Sequence, residues 1–200
     1  GTITENTGES YRLDVPETID GVSVRMIGAN AFNGNRNLIY LTLPEGLTAI
    51  EDGAFESAYQ LSFVEFPSTL RTIGNRAFYN YRGGKLMLPE GLERIGDEAF
   101  YRCSVRGTLE LPEGLKEIGD SAFARSIFMR TLDLPSTLEI IGEHAFEDVS
   151  LSYVYMDGLT PPKVAKTAFA ECTSLADIEL NEYCTKQQML DMQAIIDEAG

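Results

Sequence analysis

Histidine occurs once in this chain, at His144, and cysteine three times, at Cys103, Cys172 and Cys184. A zinc site needs several such ligands close together, and residues this widely spaced do not supply it. An odd, sparse set of cysteines is no disulfide framework either. Positive charge is also short: 16 Lys and Arg stand against 31 Asp and Glu, a net charge of −15. Non-specific binding to nucleic acid or to an acidic membrane surface needs a basic footprint, so both are excluded. No apolar run approaches the roughly 18 residues of a membrane-spanning helix, which excludes direct insertion. No Walker-type or dinucleotide-binding glycine motif occurs, and the 18 glycines serve turns. The chain opens Gly1-Thr2-Ile3-Thr4 with no leader. That is expected of a cytosolic protein or of one whose leader has been cut away.

What the chain has in plenty is repetition. Ala-Phe recurs at Ala31-Phe32, Ala54-Phe55, Ala77-Phe78, Ala99-Phe100, Ala122-Phe123, Ala145-Phe146 and Ala168-Phe169, with phenylalanines 23, 23, 22, 23, 23 and 23 residues apart. A fixed period of this size marks a solenoid, in which each coil buries its apolar side only by stacking on its neighbours. The stretch Ile118 to Ile140 holds one full period.

Each coil reads in three parts. A short strand Leu-x-Leu-Pro comes first, as in Leu41-Leu43-Pro44, Leu86-Leu88-Pro89, Leu109-Leu111-Pro112 and Leu132-Leu134-Pro135, with Val64-Phe66-Pro67 as a variant. Period-2 alternation sends two side chains inward and the one between them outward, and the proline ends the strand. A turn follows, Pro-Glu-Gly at 44–46, 89–91 and 112–114, which suits a type I turn, or Pro-Ser-Thr at 67–69 and 135–137. Last comes Leu-x-x-Ile-Gly-(Asp/Asn)-x-Ala-Phe. Asp52, Asn75, Asp97 and Asp120 are expected to cap the short helical turn that carries Ala and Phe into the core. Glu51 replaces the glycine in one coil.

The ends depart from the pattern. Residues 2–10 are polar and are expected to form a capping strand or hairpin with a turn at Gly8. Asp20-Gly21, set between Ile19 and Val22, signals a hairpin. In the penultimate coil Tyr153-Val154-Tyr155-Met156 arrives one residue early, and Gly158-Leu159-Thr160-Pro161-Pro162 takes up the slack. Residues 186–198 read as an amphipathic helix with Met189, Met192 and Ile195 or Ile196 on its apolar side and Thr185 as N-cap. It is expected to close the open end of the solenoid.

The register also disposes of catalytic readings. Cys103 and Cys172 occupy one slot three coils apart, so at ~4.8 Å per coil they stand roughly 14 Å from each other, beyond disulfide reach. His144 shares its slot with Arg76, Glu98 and Ser121, which reads as a solvated turn position. No strained nucleophile motif surrounds Ser121, so no serine triad is assembled. The acidic residues recur once per coil rather than along one loop, which is no EF-hand. A cation shared between stacked Asp97 and Asp120 is weighed against simple solvated capping. No cofactor is implied.

The outward side chains of the strands carry the functional expectation. Stacking aligns them in two rows: Tyr40, Phe63, Lys85, Thr108, Thr131, Tyr153 and Asp177, and beside them Thr42, Glu65, Met87, Glu110, Asp133, Tyr155 and Glu179. Tyr40, Thr42, Phe63, Glu65, Met87, Glu110, Asp133, Tyr153 and Tyr155 are the candidate partner-binding set, since exposed aromatics anchor protein interfaces. Glu110 and Asp133 are expected to face each other as like charges. Tyr59, Tyr79, Tyr81 and Tyr101 on the other turns are either a second contact surface or packing between coils.

The repeat Leu-x-Leu-Pro-x-x-Leu-x-x-Ile-Gly-x-x-Ala-Phe, running over about residues 11–181, resembles the bacterial BspA-type leucine-rich repeat. The asparagine ladder of the commoner eukaryotic leucine-rich repeats is absent, and the cysteine after Ala-Phe survives only as Cys103 and Cys172. The resemblance implies a curved solenoid, export to the cell surface or beyond, and adhesion to, or recognition of, a host extracellular or matrix protein. It carries over no specific binding residue. The expectation is a right-handed, β-dominated (α/β) leucine-rich-repeat solenoid of about eight coils of 22–23 residues. It would form one domain over 1–200: an N-terminal cap at 1–10, repeats at 11–181 and a helical cap at 182–200. Its leading function is non-catalytic protein recognition through the strand face. A passive spacer within a larger surface protein and a glycan-binding module are the rivals, and the oligomeric state is left open.

Overall fold

In the computed structural model, residues 1–3, 10–156, 158 and 160–199 are described. The turn expected at Gly8 lies outside them. The chain winds as a β-solenoid of about seven turns, one for each core phenylalanine. The tally of about eight coils corresponds to the eight rungs of the longest sheet, whose two outer rungs bound the seven turns. Those rungs are Thr2–Ile3, Met26–Ile27, Ala49–Ile50, Thr72–Ile73, Arg94–Ile95, Glu117–Ile118, Ile140–Ile141 and Lys163–Val164, all parallel and in register. Thr2–Ile3 is the expected N-terminal capping strand.

The interior is a column of phenyl rings. Phe32, Phe55, Phe78, Phe100, Phe123, Phe146 and Phe169 are buried, and successive ring centroids lie 4.9 to 5.5 Å apart with planes within 13° of parallel. The preceding alanine lets the coils approach this closely. Each phenylalanine N–H from Phe32 to Phe146 donates to the carbonyl of the alanine one coil on, as in Phe78 to Ala99 and Phe100 to Ala122, both at 2.8 Å. Buried leucines and isoleucines from the two strand faces fill the rest of the core.

The Asp/Asn position works differently from the expectation. Its side chain does not cap its own turn. Asp52 Oδ1 accepts the Asn75 N–H at 2.7 Å, Asn75 Oδ1 the Asp97 N–H at 2.8 Å, Asp97 Oδ1 the Asp120 N–H at 3.0 Å, and Asp120 Oδ1 the Glu143 N–H at 2.8 Å. The chain therefore carries a polar ladder after all, built from Asp and Asn. This ladder explains the glycine beside it: a Cβ on Gly119 would lie 2.4 Å from Asp97 Oδ1 and 2.7 Å from the Asp97 nitrogen. Glu51 escapes the rule because the preceding coil holds Ala29, not Asp or Asn, at the ladder position. The Glu51 carboxylate takes the Ala29 N–H instead, at 3.0 Å.

Two of the three Pro-Glu-Gly turns also depart from the type I reading, while Gly91 in the third is not at positive φ. In each, the proline carbonyl accepts from the leucine three residues on, as from Leu47 to Pro44 at 3.2 Å and Leu115 to Pro112 at 3.3 Å. Gly46 and Gly114 then fall at the third turn position with φ of 92° and 104°, which is type II geometry. Neighbouring turns lock together. Glu45 receives the Ser68 N–H and hydroxyl, both at 3.0 Å, while Thr69 Oγ1 accepts the Gly46 N–H at 2.9 Å. Glu113, Ser136, Gly114 and Thr137 repeat the arrangement.

At the ends, Thr18–Ile19 and Val22–Ser23 form the expected hairpin, with Asp20 and Gly21 both at positive φ. The helix α1, Lys186–Ala199, packs on the last strand, Asp177–Leu180. Thr185 and Gln188 cap it reciprocally: the Thr185 N–H reaches Gln188 Oε1 at 2.7 Å and the Gln188 N–H reaches Thr185 Oγ1 at 3.3 Å. The buried seam is Met192, Ile195 and Ala199; Met189, expected on the apolar side, is exposed one turn too early to meet the strand.

Two predictions follow from this packing. Phe100→Ala removes a ring sandwiched on both sides and should cost about 3–5 kcal/mol in denaturant unfolding. The second concerns pH. Hydrogen bonds from Ser68 and Thr69 hold the Glu45 carboxyl below its ordinary pKa of 4.5. A depressed carboxylate contributes stability above its unfolded pKa and loses it as pH falls through the folded value. The melting-temperature advantage of wild type over Glu45→Gln should therefore be present at pH 7 and shrink as pH drops below 4.5.

Candidate functional site

The leucine strands do not form one continuous sheet. Arg12–Asp14, Tyr40–Thr42 and Phe63–Glu65 make one three-stranded sheet, and Thr131–Leu134, Tyr153–Met156 and Asp177–Leu180 make another. Between them the rungs expected at 86–88 and 109–111 are reduced to a single bridge, Met87 to Glu110. Glycines explain the break. The coil entering Leu86 is the 22-residue one and passes through Gly83-Gly84, and Gly107, at φ 104°, precedes Leu109. Glycine weakens strand pairing by its entropy and its missing side chain.

The outward rows lie in the anticipated register within each sheet. Arg12 stands beside Tyr40 and Tyr40 beside Phe63, while Thr42 stands beside Glu65. In the second sheet Thr131, Tyr153 and Asp177 are aligned, as are Asp133, Tyr155 and Glu179. Glu110 and Asp133 do not meet in a bridge among the described residues. Glu110 instead takes Lys85 Nζ at 3.1 Å, which removes the like-charge conflict.

The structure sorts the nine candidates into two groups. Tyr40, Thr42, Phe63, Glu65 and Met87 line one hollow of about 630 Å³ at the N-terminal end, with Leu41, Val64 and Leu88 also in its wall. Tyr40 and Phe63 stack in the open, centroids 5.1 Å apart and planes 8° from parallel. Phe63 is 54% and Met87 62% exposed, so this apolar surface does nothing for the core. Arg12, Lys85 and Glu90 share the lining and were missing from the candidate set. The register of Arg12 with Tyr40 was the signal that could have added it. Glu110 joins this group through its Lys85 ion pair.

Asp133, Tyr153 and Tyr155 form the second group, past the break. The two tyrosine rings are 6.5 Å apart, among Asp133, Asp177 and Glu179. Lost hydration and the surrounding carboxylates raise the Tyr155 phenol above its ordinary range. The tyrosines of the other turns divide as well. Tyr81 is buried with its hydroxyl donating to the Ser62 carbonyl at 3.1 Å, Tyr79 and Tyr101 stack at 5.0 Å, and only Tyr59 is largely exposed.

Cys103 and Cys172 are free and buried, and burial pushes their thiols up to about 12 and about 11. Cys103 Sγ lies 3.3 Å from Ser126 Oγ, whose own proton goes to the Phe100 carbonyl at 2.8 Å. His144 sits in a left-handed turn at φ 56°, its Nδ1 2.8 Å from Glu147 Oε2. Arg76, Glu98 and Ser121 adopt the same φ, between 51° and 55°, in their coils. Among the described residues no group of three or more His, Cys, Asp or Glu is arranged to hold a metal ion, and no helix is long and apolar enough to cross a membrane.

The family described as BspA type leucine rich repeat region (6 copies) matches residues 25–152 and, in an overlapping match, 95–189. The chain belongs to that family. Among solved structures, this BspA-type repeat chain is similar to a leucine rich repeat protein of T. pallidum, with 28% identity and a TM-score of 0.73 over 88% of this chain and 83% of that one. It is also similar to a leucine rich cell surface protein of Faecalibacterium prausnitzii, at 25% identity and a TM-score of 0.74. That match covers 90% of this chain and 50% of the other, so the chain spans about half the length of that relative. A search of curated protein sequences found no match.

Proposed function

We propose that this chain is a non-catalytic protein-recognition module displayed at or beyond a bacterial cell surface. It grips its partner with the hollow around Tyr40, Phe63 and Met87. The stacked and exposed Tyr40–Phe63 pair carries this reading. Exposed rings that the core does not use are costly to keep in water, and aromatic anchors beside a charged rim are what protein interfaces bury. Arg12, Lys85, Glu65 and Glu90 provide that rim. Membership of the BspA-type family, and likeness to a protein described as a cell surface protein, support the location. A host extracellular or matrix protein is the class of partner proposed, with neither metal nor cofactor taking part. Tyr153, Tyr155 and Asp133 extend the contact to a second patch when the partner is long enough to cross the break.

The test is a triple variant, Tyr40→Ser/Phe63→Ser/Met87→Ser, captured on a panel of immobilised collagen, laminin and fibrinogen. Removing hot-spot side chains should weaken capture about 30-fold or more. The three positions lie outside the core, so the melting temperature should stay within a few degrees of wild type. Unchanged capture would move the interface elsewhere. No capture of any panel member by wild type would favour the spacer reading. Binding on a glycan array that is lost with the same variant would favour glycan recognition.

A further inference from the structure

Arginine is concentrated on one edge of this acidic chain. Arg82, Arg102, Arg106 and Arg125 line a hollow of about 390 Å³, with Gly83, Cys103, Ser104 and Ile127 as the remainder of its wall. The edge is the segment of each coil that runs from the Ala-Phe turn to the next leucine strand. Three of the four arginines have no carboxylate within ion-pair distance among the described residues; Arg125 alone is paired, to Glu147 at 3.3 Å. Elsewhere Arg71, Arg76 and Arg94 are each matched by a glutamate. Exposed cations left unmatched on adjacent coils of a chain with net charge −15 repel one another, and an anion relieves that cost.

The guanidinium groups are partly positioned in advance. Arg82 lies over the Tyr59 ring at 5.9 Å and Arg102 over Tyr101 at 5.5 Å, and Tyr101 is itself stacked on Tyr79. The ligand must be recognised through side chains. The local backbone is already committed: Arg102 N–H donates to Ala124, Ser104 to Tyr81, Val105 to Ile127, Arg106 to Gly84 and Ile127 to Cys103, at 2.8 to 3.1 Å. A peptide therefore finds no strand edge to extend. The tyrosine rings beside the hollow already carry these arginines or stack on each other, which leaves no free row of the stacking platforms that a single-stranded nucleic acid needs. What remains is a set of planar forks on successive coils, spaced about 5 Å apart along the axis. Such forks match oxyanions carried at intervals along a chain.

We propose that this arginine-lined hollow binds the sulfate groups of an acidic oligosaccharide, at a site separate from the strand-face hollow. The probe is a heparin-derived octasaccharide, titrated calorimetrically into the full chain at low and at physiological ionic strength. Arg102→Ser/Arg106→Ser should weaken binding about tenfold or more. Arg36→Ser/Lys166→Ser, which changes the net charge equally at exposed sites elsewhere, should bind as wild type does. A chemically desulfated octasaccharide should not bind, raised salt should weaken the intact one, and the Tyr40, Phe63 and Met87 variant should still take it up. If the double arginine variant melts early, Arg106→Ser alone, at a side chain with no ring or ion-pair partner, should still lose several-fold. Absence of octasaccharide binding, or equal losses in both double variants, would overturn the proposal. Full displacement by inorganic sulfate at matched sulfate concentration would also overturn it, since that describes a single-anion site.

Discussion

Stacking one coil on the next is the interaction on which the rest of this structure depends. A single coil has two short strands and one phenylalanine and cannot enclose a core. Between coils the phenyl rings meet face to face at about 5 Å, and three sets of hydrogen bonds run in parallel with them. These are the isoleucine rungs, the Phe-to-Ala ladder and the Asp/Asn ladder. All of them require the same spacing, so each constrains the others. The period of 22 or 23 residues is the consequence: a coil may lose one residue in a loop, as before Phe100, but cannot shift its phenylalanine.

That constraint also divides the residues by duty. Positions that touch the next coil are fixed in type: Ile, Gly, Asp or Asn, Ala, Phe and the inward leucines. Exposed positions on the outward strand rows and the connecting edge give no side chain to the core and differ from coil to coil. The exposed Tyr40–Phe63 stack and the unmatched arginines lie at such free positions. The two proposed surfaces differ in chemistry, one aromatic and apolar with a mixed rim, the other cationic with a committed backbone. They suit different ligands on one scaffold.

Much of this was legible in the residues. Period, inward alternation, the Asp20-Gly21 hairpin and the Thr185-capped helix all depend on neighbours in sequence, and sequence displays those directly. Most of what escaped depends on neighbours 22 or 23 positions away. Asp97 looked like a local cap because its true partner, the Asp120 N–H, belongs to the next coil. Glu51 looked like an arbitrary exception until Ala29 was seen beneath it. The break at Met87 and Glu110 follows from glycines in two coils acting together. Of the binding candidates, register was readable, but which of them share one hollow was not.

The central claim is that coils are interchangeable units of scaffold and that the strand-face hollow is carried by its own coils alone. Deleting residues 124–146 removes one complete 23-residue period and joins Phe123 to Glu147 in register. Denaturant unfolding of this variant, read beside its capture on matrix proteins, tests the claim directly. The account predicts a cooperative transition with a smaller denaturant dependence than wild type and unchanged capture through Tyr40 and Phe63. A chain that fails to fold, or one that folds but loses capture, would contradict it.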